Sequence, residues 1–324
     1  MDRRTFCLAA LSAGLSPIGL HAAETFPTKP VRIISAYAAG GGPDVQLRQI
    51  GPALGEALGQ AIVIENKVGA GGVLAAQYAA TAPPDGYTLV MGSNTHLIQK
   101  ILKPDLKFDP IADFAPVSNM ASSPTVLVVR ADTSYKTVAD LVAAAKASPA
   151  GMNYGSGGVG TSAHLAAATF VSLNGLTAAH IPLKGSVEIA GSLLRGDTQF
   201  AFPVAGTGVP QVKGGKLRAL AVTSRQRLAQ LPDVPTWYEL TKNELTIQES
   251  WFGIWAPAKT PPDIVARLHA AITKSLRLPA IEAAFEAAGN HPALSESPQA
   301  FAAFVQSENR KWAEIVRLSG ISGN

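Results

Sequence analysis

Short apolar runs alternate with segments of helical periodicity along most of the chain. The β-branched run from Val31 to Ile34 is typical of a strand, and the next segment repeats its apolar residues at three- and four-residue steps. This helical stripe consists of Leu47, Ile50, Leu54 and Leu58. Strands that alternate with helices at these lengths indicate βαβ units. The pattern therefore predicts an α/β fold whose mostly parallel sheets are flanked by helices.

Two glycine-rich turns stand between a strand and a helix, far apart in the chain. The first covers residues 36–44, and the second covers residues 155–164. Backbone N–H groups at such a turn, together with the positive end of the helix dipole, form a site for anions. The two turns therefore predict two lobes that face one small ligand.

The later part of the chain predicts where it passes between these lobes. Two strand-like runs within residues 114–129 mark a crossing, and the proline-rich segment 231–236 marks the return. We therefore expect a discontinuous first lobe made of residues 24–122 and 240–324. Residues 123–239 are expected to form the second lobe, linked to the first by a hinge.

Residues 1–23 have the pattern of a secretory signal peptide. A basic start, which contains Arg3-Arg4-Thr5-Phe6, precedes a mostly apolar stretch over 6–20, and it also resembles a twin-arginine export signal. The alternative is a membrane anchor, but the apolar stretch is shorter than the roughly 20 residues that a span needs. We expect export to the periplasm and removal of the segment, together with Cys7, the only cysteine.

Composition narrows the classes of function. The chain has 324 residues, of which 47% are hydrophobic and 15% are charged, so it belongs to folded globular proteins. The net charge is +4, but the basic residues are scattered, which argues against a nucleic-acid partner. Without Cys7 the chain has no thiol, which excludes thiol catalysis and disulfides. No two histidines have H-x-x-x-H spacing, so we expect no metal.

Two enzymatic interpretations compete with ligand binding alone. Gly155 to Gly160 reads G-x-G-x-x-G between a strand and a helix, as in a dinucleotide-binding turn. The acidic residue that should hold the ribose is absent from 175–182, so we expect no cofactor. Ser162 and His164 leave open an exported α/β hydrolase, although the chain lacks a G-x-S-x-G elbow.

Several segments carry a family resemblance by their order and spacing. They are Pro27-Thr28-Lys29-Pro30-Val31-Arg32-Ile33-Ile34, Ala39-Gly40-Gly41 with Asp44, Val63-Ile64-Glu65-Asn66-Lys67, Gly69-Ala70-Gly71-Gly72, Pro84-Asp85-Gly86-Tyr87-Thr88-Leu89, Asp113-Phe114-Ala115-Pro116-Val117, Gly155-Ser156 through His164-Leu165, Gly215-Lys216-Leu217-Arg218-Ala219-Leu220-Ala221-Val222-Thr223, Leu231-Pro232-Asp233-Val234-Pro235-Thr236 and Trp251-Phe252-Gly253. Together they resemble the Bug family of periplasmic solute receptors, which serve tripartite tricarboxylate transporters.

This resemblance implies a two-lobed periplasmic binding protein of type II that closes by a hinge motion on a small organic carboxylate. It also implies a receptor instead of an enzyme, with the membrane subunits of the transporter as partners, and we expect a monomer. The candidate ligand-binding residues of the first lobe are Tyr37, Ala39, Gly40, Gly41, Asp44, Ser93 and Asn94. Those of the second lobe are Gly155, Ser156, Gly160, Thr161, Ser162, His164 and Lys184.

The sequence departs from the family at one strand. Gln199 and Pro203 stand where members often carry an acidic residue, which an amine-bearing ligand would use as its partner. The departure favours a mono- or dicarboxylate, aromatic or not, without a cationic group. Asp44 remains an alternative partner for an amine.

Overall fold

The computed structural model describes residues 26–321, so the predicted signal peptide lies outside the described residues. The strands are β1 (Val31–Ser35), β2 (Ile62–Asn66), β3 (Thr88–Ser93), β4 (Phe114–Pro124), β5 (Val126–Arg130), β6 (Met152–Ser156), β7 (Ala178–Pro182), β8 (Phe200–Ala201), β9 (Leu217–Val222), β10 (Glu249–Pro257) and β11 (His291–Pro292). The helices are α1 (Gly42–Leu58), α2 (Val73–Ala80), α3 (Asn94–Leu102), α4 (Val138–Ala147), α5 (Ser162–Asn174), α6 (Glu188–Arg195), α7 (Ala205–Lys213), α8 (Trp237–Thr241), α9 (Pro262–Leu276), α10 (Pro279–Ala287) and α11 (Pro298–Ser319).

The strands form two sheets, one in each lobe. The first sheet has the order β11-β4-β10-β3-β1-β2, and β1 pairs in parallel with both β2 and β3. The second has the order β7-β6-β8-β5-β9, and β6 pairs in parallel with both β7 and β8. Strands β10 and β5 run antiparallel to their neighbours, so both sheets are mixed. Helices flank both sheets, which confirms the predicted two-lobed α/β fold, but the sheets are not mostly parallel as predicted, because β4, β5, β9, β10 and β11 pair only antiparallel.

Helix α1 forms as its sequence pattern predicts. Pro43 lies in the first turn, where its missing N–H costs nothing, and Gly59 ends the helix in the left-handed conformation. The residues of the predicted apolar stripe are all buried and pack against the first sheet. Burial of this stripe, more than intrinsic propensity, holds the helix in place.

Two neighbouring strands connect the lobes. The chain leaves β4 for β5 at Thr125, and it returns to β10 through Gln248. Thr223 links both passages, because its hydroxyl accepts the backbone N–H of Thr125 at 2.8 Å and donates to the carbonyl of Gln248 at 2.6 Å. All three residues are fully buried. The predicted lobe boundaries at 122/123 and 239/240 remain predictions.

Gly92 in β3 provides a test of the packing in the first lobe. A methyl group at this position would overlap the Trp255 ring and the imidazole of His96. We expect Gly92→Ala to lower the free energy of unfolding by roughly 1–3 kcal/mol, as overpacking does. Urea denaturation followed by circular dichroism measures the change.

Gly51 is the matched control because it lies inside α1. A methyl group there would meet only the side chain of Ile64, at 3.7 Å. Gly51→Ala should therefore change the free energy of unfolding much less than Gly92→Ala, because strain against the ring of Pro52, the next residue, is offset by restriction of the unfolded chain. Equal effects of the two substitutions would contradict this account of β3.

Candidate functional site

A cavity lies between the two lobes and holds about 720 Å³ of space, part of it open to solvent. The first lobe contributes Ala36, Tyr37, Ala38, Pro43, Val68, Gly69, Gly71, Gly72, Thr95, His96, Ser250 and Phe252. The second lobe contributes Gly157, Thr161, Ser162, Ala163, Lys184, Gly185, Ser186 and Val204.

Helix N-termini surround this cavity. Pro43 lies in the first turn of α1, Gly72 is the N-cap of α2, and Thr95 lies in the first turn of α3. In the second lobe α5 begins at Ser162, α6 begins two residues after Ser186, and Val204 is the N-cap of α7. The positive ends of six helix dipoles therefore point toward one space, which favours an anion there.

The side chains of the wall complement this field. Lys184 is the one Lys or Arg that lines the cavity, and no Asp or Glu of the described residues lines it. Burial lowers the pKa of His96 to about 4, against a hydrogen bond to the Gly72 carbonyl, so this imidazole is neutral at pH 7. Tyr37 and Phe252 supply an aromatic surface, with their ring centroids 5.5 Å apart in an edge-on arrangement.

The first glycine turn is closed by Asp44. One carboxylate oxygen accepts the N–H of Gly40 at 2.9 Å and Nε of Arg48 at 2.9 Å, and the other accepts Nδ2 of Asn66 at 2.6 Å. Burial favours a raised pKa for Asp44, but these hydrogen bonds outweigh it and hold the pKa below its usual value. Asp44 is therefore an ionised part of the turn, with protein donors on both oxygens.

The second glycine turn is held by two stacked histidines. Nδ1 of His164 accepts the N–H of Gly160 at 3.1 Å, and the His164 ring stacks on His180 with centroids 3.9 Å apart. Nε2 of His180 lies 2.6 Å from the hydroxyl of Ser156, which accepts the N–H of Gly158. Burial, and then the neighbouring His180, lower the pKa of His164 to about 3, while burial lowers that of His180 to about 4. The pair is thus neutral at pH 7 and shapes the turn.

Ser162 joins the two lobes at the cavity wall. Its hydroxyl lies 3.2 Å from Oδ1 of Asn94 and 3.1 Å from the hydroxyl of Ser250, both in the first lobe. Thr161 is the N-cap of α5, and its hydroxyl accepts the N–H of His164. Because His164 Nδ1 accepts from Gly160, Ser162 and His164 do not form a nucleophile–base pair.

Only some of the predicted ligand-binding residues line the cavity. Tyr37, Thr161, Ser162 and Lys184 line it. The other predicted residues do not line it: Ala39, Gly40, Gly41, Asp44, Ser93, Asn94, Gly155, Ser156, Gly160 and His164. Most of these residues support the turns: the N–H of Gly41 donates to Ala38 at 3.0 Å, and the hydroxyl of Ser93 caps α3.

Sequence reasoning missed a third glycine turn. Gly69, Gly71 and Gly72 line the cavity between β2 and α2, and Thr95 with His96 lines it at the start of α3. The signal was present, because Gly69-Ala70-Gly71-Gly72 has the same order of strand, glycines and helix as the two turns that were predicted. Ser250 and Phe252 gave no such signal, since they lie within a buried strand.

The family model of the tripartite tricarboxylate transporter family receptor matches residues 46–321. The chain belongs to this family. The receptor is 31% identical to the protein BugT of Bordetella pertussis, over 98% of both chains. Its fold is similar to that of Rpa4515 of R. palustris with adipate, with a TM-score of 0.87 and 30% identity over 92% of this chain and 99% of the other. It is also similar to MatC of Rhodopseudomonas palustris with bound malate, with a TM-score of 0.83 and 29% identity over 90% of this chain and all of the other.

Family membership identifies the chain as a solute-binding receptor and overturns the hydrolase alternative. The contacts of Ser162 and His164 give the physical reason, since each side chain is held by a different partner. Within residues 26–321, no helix has both the length and the apolar character to span a bilayer. The same part of the chain has no cluster of three His, Cys, Asp or Glu placed to bind a metal.

The buried histidines predict a loss of stability in acid. The pKa values of His96 and His164 lie below 6.5 in the folded state, so between pH 6.5 and about 4 the unfolded chain binds more protons. We expect the free energy of unfolding to fall by roughly 3 kcal/mol per buried histidine between pH 7 and pH 4. Urea denaturation over this pH range measures the slope.

Two substitutions separate this effect from the titration of carboxylates. His164→Gln should make the pH dependence shallower, because one titrating group is removed. His291→Gln, a substitution of an exposed side chain, is the matched control. An unchanged slope in His164→Gln would contradict the assignment.

Proposed function

We propose that the receptor binds a small dicarboxylate without an amine in the cavity between its lobes and delivers it to a tripartite tricarboxylate-type membrane transporter. The observation that carries this proposal is the charge of the wall. Six helix N-termini and Lys184 surround the cavity, and among the described residues no carboxylate lines it. Such a wall favours a ligand with net negative charge.

The wall also suggests how the ligand lies. One carboxylate accepts hydrogen bonds at the start of α5, where Thr161 to Ala163 line the cavity and the first N–H groups of a helix have no intrahelical partner. The second carboxylate lies toward Lys184, whose ammonium is exposed at the edge of the second lobe. The carbon chain between them contacts the rings of Tyr37 and Phe252.

The relatives support this class of ligand. Rpa4515 carries adipate and MatC carries malate, and both ligands are dicarboxylates without an amine. Asp44, the alternative partner for an amine, has protein donors on both carboxylate oxygens. An ammonium in the cavity would therefore lose its hydration and gain no carboxylate partner.

Location and assembly belong to the same proposal. The pattern of residues 1–23 supports export to the periplasm, by the general or the twin-arginine route. The receptor acts there as a monomer and presents its solute to the membrane subunits. Closure is a hinge motion about the two strands that connect the lobes, and contacts from both lobes to the ligand stabilise the closed state.

Matched acids with and without an amine test the class of ligand. We expect succinate, glutarate or adipate to bind at least about tenfold more tightly than the amino acid of the same length, because the wall offers no partner for the ammonium. Titration calorimetry of succinate against aspartate, and of glutarate against glutamate, measures the ratio. Equal affinities within each pair would contradict the proposal.

Lys184 tests the second carboxylate. Lys184→Met should weaken the binding of the best dicarboxylate by about five- to tenfold, equivalent to roughly 1 kcal/mol, and should leave a monocarboxylate of similar size nearly unaffected. Lys136→Met is the matched control, since Lys136 is exposed on the second lobe and does not line the cavity. If the dicarboxylate binds equally well to both variants, Lys184 is not its partner.

A further inference from the structure

Gln99 reaches from the first lobe into the second without lining the cavity. It lies on α3, it is buried, and its side-chain amide donates to the carbonyl of Val159 in the second glycine turn. Val159 is far away in sequence and belongs to the opposite lobe. The contact therefore exists only when the lobes lie against each other.

Glycines of both lobes make room for this side chain. A Cβ atom on Gly71, in the first lobe, would collide with the Gln99 amide, and one on Gly160, in the second lobe, would lie 2.9 Å from its nitrogen. Both glycines have positive φ, 64° and 74°. Glycines in turns of both lobes thus leave the space that the Gln99 amide occupies. A side chain at either position would displace the amide.

Two further residues of α3 contact the second lobe. Ile98 packs in a buried apolar cluster with Leu165 of α5, and both side chains are fully buried. Asn94 accepts a hydrogen bond from the hydroxyl of Ser162 at 3.2 Å. Asn94 and Ile98, four positions apart, lie side by side on α3, and Gln99 extends the contact with the second lobe to the adjoining side of the helix.

We propose that α3 is a clasp that holds the two lobes closed, with Gln99 as its central positioning residue. The contacts of Gln99 and Ile98 with the second lobe involve no residue of the cavity wall. They therefore favour the closed arrangement whatever the ligand is, and the inference is independent of the class of solute proposed above.

The clasp affects the affinity for solute by changing the fraction of receptor molecules that are closed. A ligand held by both lobes binds with an apparent affinity that scales with the fraction of receptor able to close around it. Loss of one interlobe hydrogen bond should lower the ratio of closed to open receptor by about five- to tenfold. Gln99 thus contributes to solute affinity without contact with the solute.

Distance measurements in the absence of solute test the clasp. Spin labels are placed on α1 and α6 by Val45→Cys and Leu194→Cys, both exposed, in a full chain whose single Cys7 is replaced by serine. Double electron–electron resonance then gives the distribution of distances between the lobes. We expect a short-distance population, and Gln99→Leu, similar in size but without an amide, should lower its ratio to the long-distance population about five- to tenfold.

The controls separate a clasp from a general structural role. Gln77→Ala, on α2 of the same lobe, should leave the distribution unchanged, and the midpoint of thermal unfolding reports whether each variant folds. Gln99→Ala serves as a second variant if Gln99→Leu fails to fold. Calorimetry with adipate should show an affinity loss equal to the loss of the short-distance population.

Three outcomes would overturn the clasp: no short-distance population in the parent, an unchanged population in Gln99→Leu and Gln99→Ala, or an equal loss in Gln77→Ala. Failure of the parent to bind adipate or any other dicarboxylate would instead count against the proposed function. The two failures are distinguishable, because the distances are measured without solute.

Discussion

The structure depends on where parallel strands end. In both lobes, the turns that follow β1, β2, β3, β6, β7 and β8 supply residues of the cavity wall. A parallel strand delivers its carboxyl end, and the start of the next helix, to the same edge of the sheet as its neighbours. When two such edges face each other, the helix N-termini of both lobes converge on one space. The strand topology alone therefore favours an anion in the cavity, whatever side chains line it.

Much of the fold could be predicted because its local signals agree with its packing. The bounds of β1, α2, α4 and β9 follow from apolar periodicity and from the glycines and prolines around it. Helix α7 could not be predicted, since its sequence contains Gly206, Gly208 and Pro210, which disfavour a helix. Tertiary packing overrides that preference: Ala205 and Val209 are buried in the core of the second lobe.

The candidate site was harder to predict than the fold. Glycine turns indicated where amides gather, but which amides stay free for a ligand is decided by side chains distant in sequence. Asn66 holds Asp44 in place, and Asp44 then occupies the N–H of Gly40. In the second lobe His180 stacks on His164, which occupies the N–H of Gly160. No local pattern reveals such partners, because each pair joins two separate segments.

The double connection between the lobes has a consequence for release. Both passages run side by side and share the hydroxyl of Thr223, so a rotation of one lobe bends the two strands together. Paired strands resist sliding and twisting more than bending, which leaves one dominant axis of motion. Opening about this axis moves the cavity wall of one lobe away from that of the other. A tilt of either lobe therefore exposes the binding pocket without any rearrangement inside that lobe.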